Sequence, residues 1–238
     1  MIRTAVEDLD AVTFDAMGTL IHLVEPGPLL RAALLSRYGI AASDARCAGA
    51  MRAEIAHYVQ HAPAARTASD AARLRLACAG IVADVLRVGL EAADVLPLLA
   101  DAIRYEPVNG AQATLTELRA AGLRLAVVSN FDATLRRVLS LTGLAAGLDL
   151  ALSASELTVR KPDPAIYEEA ARRLGSVPGR ILHVGDDPVG DVDAAISAGY
   201  RGAVLVDSHR GTPARRPRIA ALPELMAILD VDHGRMTG

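Results

Sequence analysis

The chain has 238 residues, 52% of them hydrophobic and 22% charged, which is enough apolar material for one large core, or a core with a smaller appended domain, and excludes disorder as the main state. A net charge of -3 gives no global basic field for nucleic acid or anionic lipid, so a small molecule is the expected partner. No run reaches the roughly 20 apolar residues of a membrane span, and the acidic start MIRTAVEDLD is unlike a signal segment, so no membrane partner and a cytoplasmic location are expected.

In chain order, residues 10–14 read as a short strand that runs into Asp15 and the tight turn Met17-Gly18-Thr19. Helix-like patterns follow at 29–38, 43–60, 69–86 and 92–105. They are bounded by turn chemistry, Glu25-Pro26-Gly27-Pro28 on entry and Glu106-Pro107-Val108-Asn109-Gly110 on exit. Residues 22–106 are therefore expected to form an inserted helical module hinged over the rest; a bundle that only enlarges the core is the alternative. From there strands at 123–128, 148–152, 181–184 and 203–206 alternate with helices at 111–121, 134–142, 164–174 and 192–198. Such alternation implies an α/β fold with a parallel sheet covered on both faces, built from 1–21 and 107–238. Ligands bind beyond the carboxyl ends of strands in such sheets, which brings Asp15, Ser129 and Asp186 to one edge. Residues 210–218 read as a basic, proline-containing surface loop, with phosphate binding by Arg215, Arg216 and Arg218 as the minor alternative. Cys47 and Cys78 lack metal-ligand spacing and read as small buried apolar residues.

Three features carry chemistry. Asp15 stands at a strand end before a glycine-containing turn, a place that suits a nucleophilic carboxylate facing an anion and equally suits an ordinary turn former. The loop Gly185-Asp186-Asp187-Pro188-Val189-Gly190-Asp191 crowds three carboxylates together. They repel one another unless a cation neutralises them, and an all-oxygen set favours Mg²⁺ over zinc. The alternative is an acidic surface turn in which Asp191 caps a helix. Lys161 is the one lysine among 25 basic residues, which hints at a site that needs a compact ammonium and not a planar fork.

In this order, Phe-Asp-Ala-Met-Gly-Thr-Leu (14–20), Ser129-Asn130, Lys161-Pro162-Asp163-Pro164 and Gly185-Asp186-Asp187-x-x-x-Asp191 resemble the four motifs of the haloacid dehalogenase-like hydrolase superfamily. The resemblance spans nearly the whole chain. Val-Val-Ser-Asn-Phe-Asp (127–132) and Arg-Lys-Pro-Asp-Pro-Ala-Ile-Tyr (160–167) look most like its subgroup of haloacid dehalogenase-like hydrolase domain-containing protein 3. The resemblance implies a Rossmann-like core, a helical cap after the first motif, and Asp15 as the nucleophile that forms an aspartyl-phosphate later hydrolysed by water. It implies Mg²⁺ on Asp15, the backbone carbonyl of Met17 and Asp186, with Asp187 or Asp191 direct or through water. Ser129 and the Asn130 amide would hold phosphoryl oxygens beside the turn residues Gly18 and Thr19, and Lys161 would neutralise the charge between nucleophile and phosphate.

One position departs from the phosphatase pattern. The second Asp that protonates a leaving alkoxide is Met17 here, and general acid-base help is worth about 10² to 10⁴ in rate. His22 is a candidate substitute, against its reading as an ordinary exposed histidine. The dehalogenase branch also lacks that Asp, because a halide leaves without a proton. A phosphatase acting on a small phosphorylated metabolite is the first expectation and a 2-haloacid dehalogenase-type hydrolase the second. A weakly catalytic protein that binds a phosphorylated ligand or a partner is the third. Substrate choice is expected from Arg31, Arg37, Arg52, His57, Tyr58 and His61, each of which also reads as solvated helix face, and the chain is expected as monomer or homodimer.

Overall fold

The computed structural model describes residues 5–207 and 217–229. Its centre is β1 (Ala11–Phe14), four residues buried on both faces as an uninterrupted apolar run in a parallel sheet should be. The chain leaves β1 through β2 (Ile21–Leu23) into four helices, α1 (Pro26–Tyr38), α2 (Asp44–His61), α3 (Ala68–Leu86) and α4 (Ala92–Ala102), and returns through β3 (Tyr105–Pro107). It then builds α5 (Ala111–Ala120), β4 (Arg124–Ser129), α6 (Leu135–Leu141), β5 (Leu150–Ser153), α7 (Ala165–Leu174) and β6 (Ile181–Gly185). A π-helical turn, Pro188–Asp193, leads to α8 (Ala194–Ser197), β7 (Gly202–Val206), β8 (Arg218–Ile219) and α9 (Leu225–Ile228).

The six-stranded sheet runs β5-β4-β1-β6-β7-β8, parallel at every pairing. Val12 and Phe14 face a core that holds Leu115 and Leu118 of α5, Leu139 of α6 and Leu225 of α9, whereas Ala11 faces Ile166 and Ala170 of α7 and Ala195 of α8. This is the covered α/β sandwich that the alternation implied. The winding goes from β1 to β4 on one side and later to β6 on the other, so the sheet reverses direction at β1, the place where such sheets leave a crevice.

The four helices enclose a buried cluster of their own, with Leu34, Met51, Val82 and Leu98 at its centre. Their starts are fixed locally. Ser43 Oγ accepts from Arg46 N, and Thr67 and Asp70 cap α3 reciprocally. The Pro26-Gly27-Pro28 segment read as a turn is instead the first turn of α1, where proline's missing N–H costs nothing. The helix expected over 92–105 stops at Ala102, and Tyr105–Pro107 pairs antiparallel with Ile21–Leu23, so that the outgoing and returning segments satisfy each other's backbone. The helix expected over 192–198 begins earlier, as the π-turn, and Arg218 opens an edge strand, not a loop. Arg215 and Arg216 lie outside the described residues. No helix of the described residues is long and apolar enough to cross a membrane.

Candidate active site

Asp15 follows the last residue of β1, and its N–H continues the ladder to Val184 O at 2.9 Å, which fixes the backbone from which the carboxylate projects. Lys161 Nζ donates to Asp15 Oδ1 at 2.5 Å and to Asp191 Oδ1 at 2.6 Å. All three residues are buried. Burial raises the Asp15 carboxyl, more than the Lys161 ammonium offsets, with Asp191 adding to the rise. Burial opposes the charge on Lys161, but the two carboxylates outweigh it and push the ammonium up to about 12. Asp191 is held well below the usual carboxylate range: burial acts against it, and the His183 hydrogen bond together with Lys161 prevails.

Further residues lock this group. Asp191 Oδ2 accepts from Asp187 N at 3.0 Å, and Oδ1 lies 3.3 Å from both His183 Nε2 and the Tyr167 hydroxyl, which itself donates to Gly190 O. His183 Nδ1 is 2.8 Å from Thr13 Oγ1 on the central strand. Asn130 clamps the Lys161 backbone from both sides, accepting from its N–H at 2.9 Å and donating to its carbonyl at 3.0 Å. Two glycines make the approach feasible. A Cβ on Gly18, which has φ +80°, would stand 2.1 Å from Asp186 Oδ2, and one on Gly185 would stand 2.2 Å from Asp191 Cγ.

A cavity of about 600 Å³ opens on this group between the strand ends and the helices, lined by Asp15, Met17, Ser129, Lys161, Asp186 and Asp191 on one wall and by Glu54, Tyr58 and Arg75 on the other. A cleft at the reversal point, with a buried Asp–Lys–Asp group at its base, is a site built for charged small-molecule chemistry. Residues 9–199 match the family of haloacid dehalogenase-like hydrolases. The chain belongs to that family. It is 35% identical over 128 residues to human "Haloacid dehalogenase-like hydrolase domain-containing protein 3", covering 52% of this chain and 51% of the relative, in accord with the subgroup that the motifs resembled. It is 40% identical over 105 residues to a phosphoserine phosphatase of Thermus thermophilus, covering 44% and 42%. The chain thus spans about half the length of the curated relatives it matches. An L-2-haloacid dehalogenase structure from Xanthobacter autotrophicus superposes with a TM-score of 0.65 at 22% identity, over 92% of this chain and 98% of that one, which shows a common fold.

This member of the family brings Asp15, Asp186 and Asp191 together, with one oxygen of each within 4.8 Å of the others. Asp186 opens to the cleft and accepts no side-chain hydrogen bond among the described residues. Its carboxyl is pushed up to about 7, by desolvation between the cleft walls and then by the charges of Asp15 and Asp191. The donor set is hard oxygen throughout, and its like-charge crowding is what a divalent cation would relieve, so these residues fit Mg²⁺. Asp187 does not join them: it is exposed, and its carboxylate caps the π-turn by accepting from Val189 N at 2.9 Å. Ser129 and Met17 line the cavity, whereas Gly18 and Thr19 lie with His22 on a second cavity of about 550 Å³ behind Asp186.

Of the helical candidates, Tyr58 alone reaches the first cavity. Arg31 pairs with Asp44 and Arg37 with Asp101, and His57 stacks on His61. Sequence reasoning missed Tyr167 and His183, which hold Asp191, and Glu54, Arg75 and Tyr105 on the far wall.

Proposed function

We propose that the protein is a Mg²⁺-dependent phosphatase acting on a small phosphorylated metabolite through an aspartyl-phosphate on Asp15. The observation that carries this reading is the buried Asp15–Lys161–Asp191 group beside Asp186, with one carboxylate oxygen of Asp15, Asp186 and Asp191 each within 4.8 Å of the others. Lys161 occupies Asp15 Oδ1, so Oδ2 is the oxygen that attacks phosphorus; the P–O bond to the ester oxygen breaks, and water then cleaves the acyl phosphate to return the carboxylate and inorganic phosphate. Lys161 neutralises charge where nucleophile and phosphoryl oxygens meet, and Ser129, at the end of β4, faces the same space. A divalent cation held by Asp15, Asp186 and Asp191 would act as a Lewis acid on a phosphoryl oxygen. The phosphatase among the relatives supports the same chemistry.

Met17 supplies no proton, so esters with good leaving groups are the preferred substrates. The test is hydrolysis of para-nitrophenyl phosphate with Mg²⁺ and with EDTA, in the wild type and in Asp15→Asn. Release that needs the metal and is lost by about 10³-fold or more in the variant supports the covalent route. Turnover that persists in Asp15→Asn rejects it. The thioether on the cavity wall favours a second reading, halide displacement from a 2-haloacid, which would proceed in EDTA. Ligand-dependent stabilisation without turnover of either substrate would instead mark a binding protein.

A further inference from the structure

The helices bring one cation, Arg75 of α3, to the cavity that Asp15 serves. Its guanidinium carbon lies 4.4 Å from the Tyr58 ring centroid, the Tyr105 hydroxyl engages one side of it, and two carboxylates stand near. Glu54 Oε1 is 3.8 Å away and Asp132 Oδ2 is 3.9 Å away, both beyond hydrogen-bond reach. Those two oxygens are sealed from solvent and accept no hydrogen bond among the described residues, whereas the Arg75 side chain is 23% exposed. The acids therefore balance the guanidinium charge without consuming its donors, and the fork is the part of that wall a ligand can touch. A stacked, planar cation that gives one donor to the Tyr105 hydroxyl and keeps the rest of its fork uncommitted among the described residues matches a carboxylate in shape and charge.

Lys161, Ser129 and Asp15 line the same cavity from the strand ends. We infer that the substrate is a phosphomonoester carrying a carboxylate on its non-reacting end, and that Arg75 is the residue that selects it; this rests on the phosphatase reading. Glu54, Tyr58 and Asp132 position Arg75.

The test compares two esters of matched carbon count, 2-phosphoglycolate with a carboxylate and ethyl phosphate without one. In the wild type with Mg²⁺ the ratio of kcat/KM values should favour phosphoglycolate by about 10- to 100-fold, the reach of one charge-assisted pair. Arg75→Met should bring the ratio close to one, and Arg75→Lys, which keeps the charge in the fold but loses the fork, should fall between. The same two ligands are titrated calorimetrically into Asp15→Asn with and without Arg75→Lys, where affinity is read without turnover. A wild-type ratio near one, or a ratio that neither substitution moves, overturns the inference. If the wild type hydrolyses neither of these esters nor para-nitrophenyl phosphate, the phosphatase reading has failed; if it hydrolyses para-nitrophenyl phosphate alone, that reading stands and the carboxylate site stands or falls on the binding ratio.

Discussion

On the strand-end wall of the cavity Asp191 takes Lys161 at 2.6 Å on one oxygen and a backbone N–H at 3.0 Å on the other, whereas on the helical wall Arg75 stands 3.8 and 3.9 Å from the carboxylates that balance it. Both walls bury charge, and they use hydrogen-bonding capacity differently. In the Asp15–Lys161–Asp191 group of the first, donors and acceptors are engaged with one another, the preorganisation that transition-state stabilisation needs. The second keeps most of its donors open, with one given to Tyr105, which is what selection among ligands needs. The strand-end group also hangs on the central sheet, through Thr13 and His183, while the helical group crosses from α2 and α3 to the loop after β4.

The sharpest way to break the comparison is Lys161→Met. It strands Asp15 and Asp191 side by side without their common donor, so denaturant unfolding should show a loss of about 3–5 kcal/mol. The rate on para-nitrophenyl phosphate should fall by about 10²-fold or more. Arg75→Met should cost the fold less, because the contacts it removes are long and Glu54 can take up a proton. A larger stability loss at Arg75 than at Lys161 would invert the contrast drawn between the walls.

A smaller effect is expected at Met17, which lines the strand-end wall without taking part in its side-chain hydrogen bonds. Met17→Asp should raise kcat/KM on ethyl phosphate by about tenfold or more, with a smaller gain on para-nitrophenyl phosphate, since only the alkoxide needs a proton to leave. Equal gains on both esters would show that the carboxylate acts through charge or metal and not as an acid.

The two walls also differed in how far the sequence disclosed them. Asp15, Ser129 and Asp186 each close a strand that is buried on both faces, so a continuous apolar run and the rule for strand ends were enough to put them on one edge. β2 and β3 are three residues each and stable only as a pair from opposite ends of the helical segment, a pairing that local periodicity does not contain. The π-turn follows from Asp187 capping Val189 and Asp191 accepting from Asp187 N, again side-chain facts. Arg31 and Arg37 drew attention as cations but are paired off with Asp44 and Asp101 on the outside. The readable signal was an interruption: Glu54 falls on the stripe of Met51 and Tyr58 in α2, and Arg75 beside Leu74 and Cys78 in α3, polar residues on faces that otherwise go inward. Their partner Asp132, in the loop after β4, closes the Val-Val-Ser-Asn-Phe-Asp run, but nothing in that run points to Arg75.

Glu54 gives the smallest and most diagnostic effect. Its carboxyl is raised above the ordinary glutamate value of 4.5, chiefly by burial, with the Cys78 thiol and Arg75, both from α3, acting in the opposite direction. The thiol is itself pushed up to about 12, by burial and then by Glu54, and so stays protonated. The folded chain therefore holds a proton on Glu54 at pH values where the unfolded chain has lost it. Stability linked to this group is present at low pH and is lost as pH rises from about 4.5 through the folded pKa. Glu54→Gln removes that titration, so melting curves of wild type and variant should draw apart in the variant's favour as pH rises above about 4.5. A difference that stays flat across that range would mean that Glu54 is ionised throughout as a plain counter-ion of Arg75.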